Sequence, residues 1–135
     1  MRTIFADTSG WLAIVVKSDL LHEKAVEIYL QLLKSNCKFI VHDAILLEIG
    51  NGLSNVKARN TAVKLKENIE NSNRVEIISL SSELIEGDWK LYAERLDKNW
   101  GIVDCISFVL MNDLKIAEAL TADRHFEQAG FTKLL

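Results

Sequence analysis

Five short stretches rich in β-branched and aromatic residues punctuate the chain: residues 2–6, 38–41, 75–79, 116–121 and 131–134. Helical patterning follows each of the first three. Strands that alternate with helices imply α/β layering around a largely parallel sheet. This alternation excludes all-helical and all-strand architectures and is the strongest constraint on the chain.

The intervening segments have helical spacing. Asp7-Thr8-Ser9-Gly10 is a helix-start signal after the first strand. Ala25, Ile28, Tyr29, Leu32 and Leu33 form one face of a helix over 22–35. Further helices are expected over 43–53 and, with a more polar composition, over 57–71. Ser81 or Ser82 caps a later one, with Ile85, Trp89, Tyr92 and Leu96 as its apolar side. The break at Asn99-Trp100-Gly101 precedes a very apolar helix over 102–114. With 135 residues, no proline, no linker-like stretch and no internal repeat, residues 1–135 read as one domain.

The longest apolar run, Trp11–Val16, is far short of the roughly 20 residues that cross a bilayer. The opening Met1-Arg2-Thr3 enters a strand without the features of a signal peptide. Cys37 and Cys105 are far apart in apolar surroundings and read as small buried hydrophobes. These features predict a soluble, cytoplasmic protein with no membrane partner. Lysine and arginine total 16 against 19 acids, a net charge of -3 that speaks against a nucleic-acid partner only if the acids are evenly spread.

They are not. Glu23, Glu27, Glu67 and Glu70 fall on polar helix faces, whereas four acids interrupt apolar sequence. Asp7 ends the first strand after Ile4-Phe5-Ala6, and Glu48 is embedded in Ala44–Ile49. Asp104 and Ser107 are the only polar residues between Ile102 and Met111, so Asp104 is expected to be shielded from bulk water. Asp123 follows the fourth strand. An ionised carboxylate buried without a partner costs several kcal/mol, which protonation, pairing or a metal relieves. Arg124 is the nearest cation in sequence, and a hard divalent ion, Mg²⁺ or Mn²⁺, suits such oxygen ligands. If strands 1 and 4 are neighbours, Asp7 and Asp123 face one crevice at the carboxyl ends of the strands, where open parallel sheets bind ligands. Taken singly, Asp7 and Asp123 also fit as helix caps and Glu48 as a paired structural acid. Setting four of the 19 acids aside turns the acidic excess into a slight basic one.

At these residues the chain resembles the PIN-domain ribonucleases, in particular the single-domain VapC-like toxins. The resemblance rests on Phe5-Ala6-Asp7-Thr8-Ser9-Gly10-Trp11, Leu47-Glu48, Val103-Asp104-Cys105-Ile106-Ser107-Phe108 and Thr121-Ala122-Asp123-Arg124-His125-Phe126. It implies a three-layer α/β/α fold with a five-stranded, mainly parallel sheet. It also implies metal-dependent cleavage of RNA. Asp7, Glu48, Asp104 and Asp123 would be the catalytic acidic set, with Asp7 and Asp104 as the principal metal ligands for Mg²⁺ or Mn²⁺. Thr8 and Thr121 match the family's hydroxyls beside the first and last acids. The chain departs from the pattern at Gly101 and Val103, where members often carry small hydroxyl residues.

In the mechanism this resemblance implies, one or two ions activate water for in-line attack on phosphate, and a carboxylate such as Glu48 orients or deprotonates that water. His125 and Arg124 adjoin the site as candidate phosphate contacts. Lys57, Arg59, Lys64 and Lys66 on one helix, and Lys90, Arg95 and Lys98 on another, are the candidate RNA contacts. A homodimer and a small antitoxin protein are the implied partners, with Tyr29, Leu32 and Trp89 as candidate apolar docking residues. Alternatives on the same fold are a non-catalytic RNA- or protein-binding module and a DNA- or structure-specific nuclease. A receiver domain does not fit, since Ser79-Leu80-Ser81 supplies no phosphoacceptor after strand 3. Nor does a haloacid-dehalogenase-type phosphatase, since Ser9 stands where its second aspartate is needed.

Overall fold

The computed structural model describes residues 1–135. Its elements, in chain order, are β1 (Arg2–Ala6), α1 (Thr8–Val15), α2 (His22–Lys34), β2 (Cys37–His42), α3 (Asp43–Gly52), α4 (Arg59–Asn71), β3 (Val75–Ile78), α5 (Ser82–Glu94), α6 (Ile102–Asp113), β4 (Glu118–Leu120), α7 (Arg124–Gln128) and β5 (Thr132–Lys133). The five strands form one sheet in the order β3-β2-β1-β4-β5, and every pairing is parallel. Parallel neighbours need crossover connections, which the helices provide. α1 packs on α2 and α3, and α3 on α4. On the other side, α5 packs on α6, and α6 on α7. The result is the three-layer α/β/α arrangement expected from the sequence.

Strand order fixes the position of the site. From β1 the chain builds outward through β2 and β3, then returns to place β4 on the opposite side of β1, with Phe5 opposite Ala119 and Ala6 opposite Leu120. This reversal is the switch point of the sheet, and the loops leaving β1 and β4 meet there. The approach of α1 to this edge depends on Gly10. A Cβ at that position would lie 2.3 Å from the Leu120 carbonyl oxygen, so only glycine lets the helix settle on β4. Trp11 pins the same turn by donating from Nε1 to the Ala6 carbonyl at 3.2 Å.

Beneath the edge lies an aromatic core. Phe5, Phe39, Phe108 and Phe126 are fully buried, and Phe126 stacks on Phe5 and meets Phe108 edge-on. Arg74 clamps the far side, donating to the carbonyls of Cys37, Leu33 and Ser35 at 2.7, 3.0 and 2.9 Å, and so ties the end of α2 to β2. Both cysteines are buried and unpaired. No helix is long and apolar enough to cross a membrane.

Two expectations about helix faces need correction. Ile85, Trp89, Tyr92 and Leu96 do not face the core; all four are exposed, Leu96 at 90%. The face of α5 turned inward carries Leu84, Asp88 and Leu91, because α6 already presents a continuous apolar surface and a narrower stripe suffices to cover it. Asp88 is therefore a fifth acid in apolar surroundings. Burial pushes its carboxyl up to about 6, and its Oδ1 has no hydrogen-bond partner. Among the candidate docking residues, Leu32 is core, Tyr29 packs against Trp11 and Phe39, and Trp89 alone is exposed.

Candidate active site

Four elements deliver the acids to the switch point. Asp7 is the N-cap residue of α1, directly after β1, yet its side chain does not cap the helix. Instead Asp7 Oδ2 accepts the Thr121 hydroxyl at 2.8 Å and the Ser9 hydroxyl at 3.1 Å. Ser9 Oγ also lies 3.0 Å from Thr121 Oγ1 and accepts the Ala122 N–H, while Thr121 Oγ1 accepts the Asp123 N–H. These bonds stitch the loop after β1 to the loop after β4. Burial pushes the Asp7 carboxyl up to about 6 against the opposing pull of the two hydroxyls, and the nearby Glu48 charge raises it further.

Glu48 projects from α3, half-buried, and its Oε1 accepts the Thr8 hydroxyl at 2.7 Å. Desolvation raises its pKa first, the Thr8 bond opposes this, and the charges of Asp104 and Asp123 add to the rise. Each acid therefore lies within electrostatic reach of at least one other.

Asp104 is the third residue of α6, and its Oδ2 accepts the Gly101 N–H at 3.0 Å, closing the first turn. The sequence led us to expect an acid cut off from water. Its side chain is instead 20% exposed, because the first turn of α6 emerges at the sheet edge before the helix dives into the core. Asp123 caps α7, accepting the His125 N–H at Oδ1 (2.9 Å). The capping role considered for Asp123 is thus real, without removing it from the cluster. Asp104, Asp123 and His125 place one donor atom each within 4.8 Å of one another.

The donor set fits a divalent cation. No lysine or arginine forms an ion pair with any of the four acids; the ion-pair partner of Asp104 and Asp123 is His125. Glu48 Oε2, Asp104 Oδ1 and Asp123 Oδ2 make no hydrogen bond within the protein, which leaves these three acids a free oxygen each for a hard ion. Asp104 and Asp123 are partly exposed, Glu48 is half-buried and Asp7 is buried.

Ser9 extends the set read from sequence, and His125, expected as a phosphate contact, meets Asp104. Ser9 lies two residues after Asp7, a spacing that reads as helix-start chemistry, and only the return of β4 gives its hydroxyl a second partner. Ser107 is fully buried and bonds away from the site: its hydroxyl donates to the Val103 carbonyl and faces His42 Nε2 at 2.8 Å. It therefore supplies no replacement for the hydroxyls missing at Gly101 and Val103. Of the basic candidates, Lys66 pairs with Glu70, and Arg95 pairs with Asp97 and stacks over Trp100. Arg59 donates to the Ser54 carbonyl, while Lys57, Lys64 and Lys90 are exposed and in no ion pair.

A parallel five-stranded sheet with acids gathered at its switch point defines a class, and residues 4–132 match the PIN domain family; the chain belongs to it. Among solved structures it is similar to the Mycobacterium tuberculosis toxin VapC20, which cleaves the sarcin-ricin loop, with 25% identity, a TM-score of 0.86 and 96% of each chain covered. It also shares its fold with VapBC2 from Rickettsia felis, solved bound to a DNA fragment from its promoter. There the identity is 16% and the TM-score 0.72, with 97% of this chain and 96% of that one covered. No curated protein sequence matches the chain.

Proposed function

We propose that the protein is a metal-dependent endoribonuclease of the toxin type, with Asp7, Glu48, Asp104 and Asp123 as its catalytic acids. What supports this reading is the grouping of Asp104, Asp123 and His125 within electrostatic reach of Glu48, itself close enough for its charge to act on Asp7, with no lysine or arginine paired to any of the four acids at the switch point of a PIN-family sheet. RNA as substrate is supported by the similarity to VapC20.

Asp7 and Asp104 would hold Mg²⁺ or Mn²⁺. When bound, the ion supplies charge neutralisation at the scissile phosphate and lowers the pKa of water. Asp7 is fixed by Thr121 and Ser9, so its carboxylate needs little reorganisation to serve as a ligand. Glu48, held by Thr8 at one oxygen and free at the other, takes a proton from the attacking water at Oε2. Asp123, beside Asp104, would hold a second ion or metal-bound water. Lys57, Lys64 and Lys90 are the basic residues free to meet RNA phosphates outside the site.

A small antitoxin and a second copy of the chain are the partners in this reading, and a cytoplasmic location accords with it. The exposed Ile85, Trp89, Tyr92 and Leu96 support an apolar protein contact. The test is Asp104→Asn, measured on purified protein with an RNA substrate and with EDTA. Cleavage should require Mg²⁺ or Mn²⁺, stop with EDTA and vanish in the variant while its circular dichroism is unchanged. Undiminished cleavage by a folded Asp104→Asn protein overturns the assignment.

A further inference from the structure

We propose that His125 is a third protein ligand beside Asp104 and Asp123, and that its nitrogen biases the site toward Mn²⁺ over Mg²⁺. This inference rests on the metal-dependent reading above and concerns which ion that site takes.

The argument is geometric. His125 Nδ1 lies 2.9 Å from Asp104 Oδ2 and 3.4 Å from Asp123 Oδ1. An octahedral ion with bonds of about 2.1 Å needs neighbouring ligand atoms about 3.0 Å apart. The two separations bracket that edge, and one ligand atom from each residue lies within 4.8 Å of the other two, so one ion can reach all three once the carboxylates turn their free oxygens, Asp104 Oδ1 and Asp123 Oδ2, toward it. The ring is also held in place. The His125 backbone N–H donates to Asp123 Oδ1, and the next residue, Phe126, is anchored in the core between Phe5 and Phe108. An imidazole fixed against two carboxylates from different elements differs from a surface histidine, which would be free to turn away. To ligate, the neutral ring presents its Nδ1 lone pair and carries its N–H on Nε2.

The chemistry of the ligand then decides the ion. Carboxylates accept Mg²⁺ and Mn²⁺ alike, whereas an imidazole nitrogen favours transition ions. Mg²⁺ prefers an all-oxygen shell with several retained waters. A carboxylate-carboxylate-imidazole set is therefore better matched to Mn²⁺.

The experiment uses the purified protein, Mn²⁺ alone and no RNA, so it does not depend on activity. Pulsed electron paramagnetic resonance of the Mn²⁺ complex should show coupling to a nitrogen nucleus, and His125→Ala should remove it. By titration, His125→Ala should bind Mn²⁺ about tenfold more weakly, while Mg²⁺ binding, read by competition, changes less than about twofold. Mn²⁺ bound to the wild-type protein without nitrogen coupling overturns the ligand assignment and leaves the metal-dependent reading standing. Failure of the wild-type protein to bind Mn²⁺ at millimolar concentration overturns both. The spectroscopic result needs no variant and holds even if His125→Ala is unstable.

Discussion

Replacing Asp7 with asparagine should stabilise the protein while destroying its chemistry. Asp7 is buried, and its carboxyl is displaced from 3.8 to about 6, chiefly by desolvation. A folded-state pKa above the unfolded one means that the native state binds the proton more tightly between those values. The stability from this group is full below about pH 4 and is lost as pH rises through 6. At about 1.4 kcal/mol per pH unit, the ionised carboxylate costs the metal-free fold about 3 kcal/mol at pH 8. Asparagine keeps an oxygen to accept the Thr121 and Ser9 hydroxyls and carries no charge beside Glu48. Urea unfolding in EDTA should therefore find Asp7→Asn more stable by about 3 kcal/mol at pH 8, falling to about 1 kcal/mol at pH 4.5. For a chain of this length the gain at pH 8 corresponds to roughly 10 °C in melting temperature. An Asp7→Asn protein that is no more stable at pH 8, or whose advantage does not shrink on acidification, refutes this account of a strained functional acid.

Two further substitutions probe the frame around the site. Gly10→Ala places a methyl group against the Leu120 carbonyl oxygen and should cost about 3 kcal/mol or more, seen as a lowered urea midpoint with unchanged m-value. Ser107→Ala leaves His42 Nε2 unpartnered in a buried position and should cost about 1–3 kcal/mol by the same measurement.

The sheet and most helices were legible because their apolar runs are continuous and their helix starts well marked. The acids were legible for the converse reason, since Asp7, Glu48 and Asp104 interrupt those runs. Local pattern failed where two faces compete. Residues 84, 88 and 91 have the same helical spacing as 85, 89 and 92, and the acid at Asp88 disguises the buried set. The strand edges were overdrawn: β4 is confined to Glu118–Leu120 and β5 to Thr132–Lys133. The five-residue helix α7 was marked only by its cap, Asp123, being too short to show periodicity. The partnership of Ser9 with Thr121, and of His125 with Asp104, could not be read at all. Each joins residues distant in the chain, and their spacing carries no local signature.

The reversal of strand order between β1 and β4 also governs when the site comes into being during synthesis. Thr121, which holds Asp7, is made more than a hundred residues after it. Until β4 inserts beside β1, the central strand has an open edge and the four acids have no common location. The acids are therefore brought together only once β4 has been made and inserted beside β1.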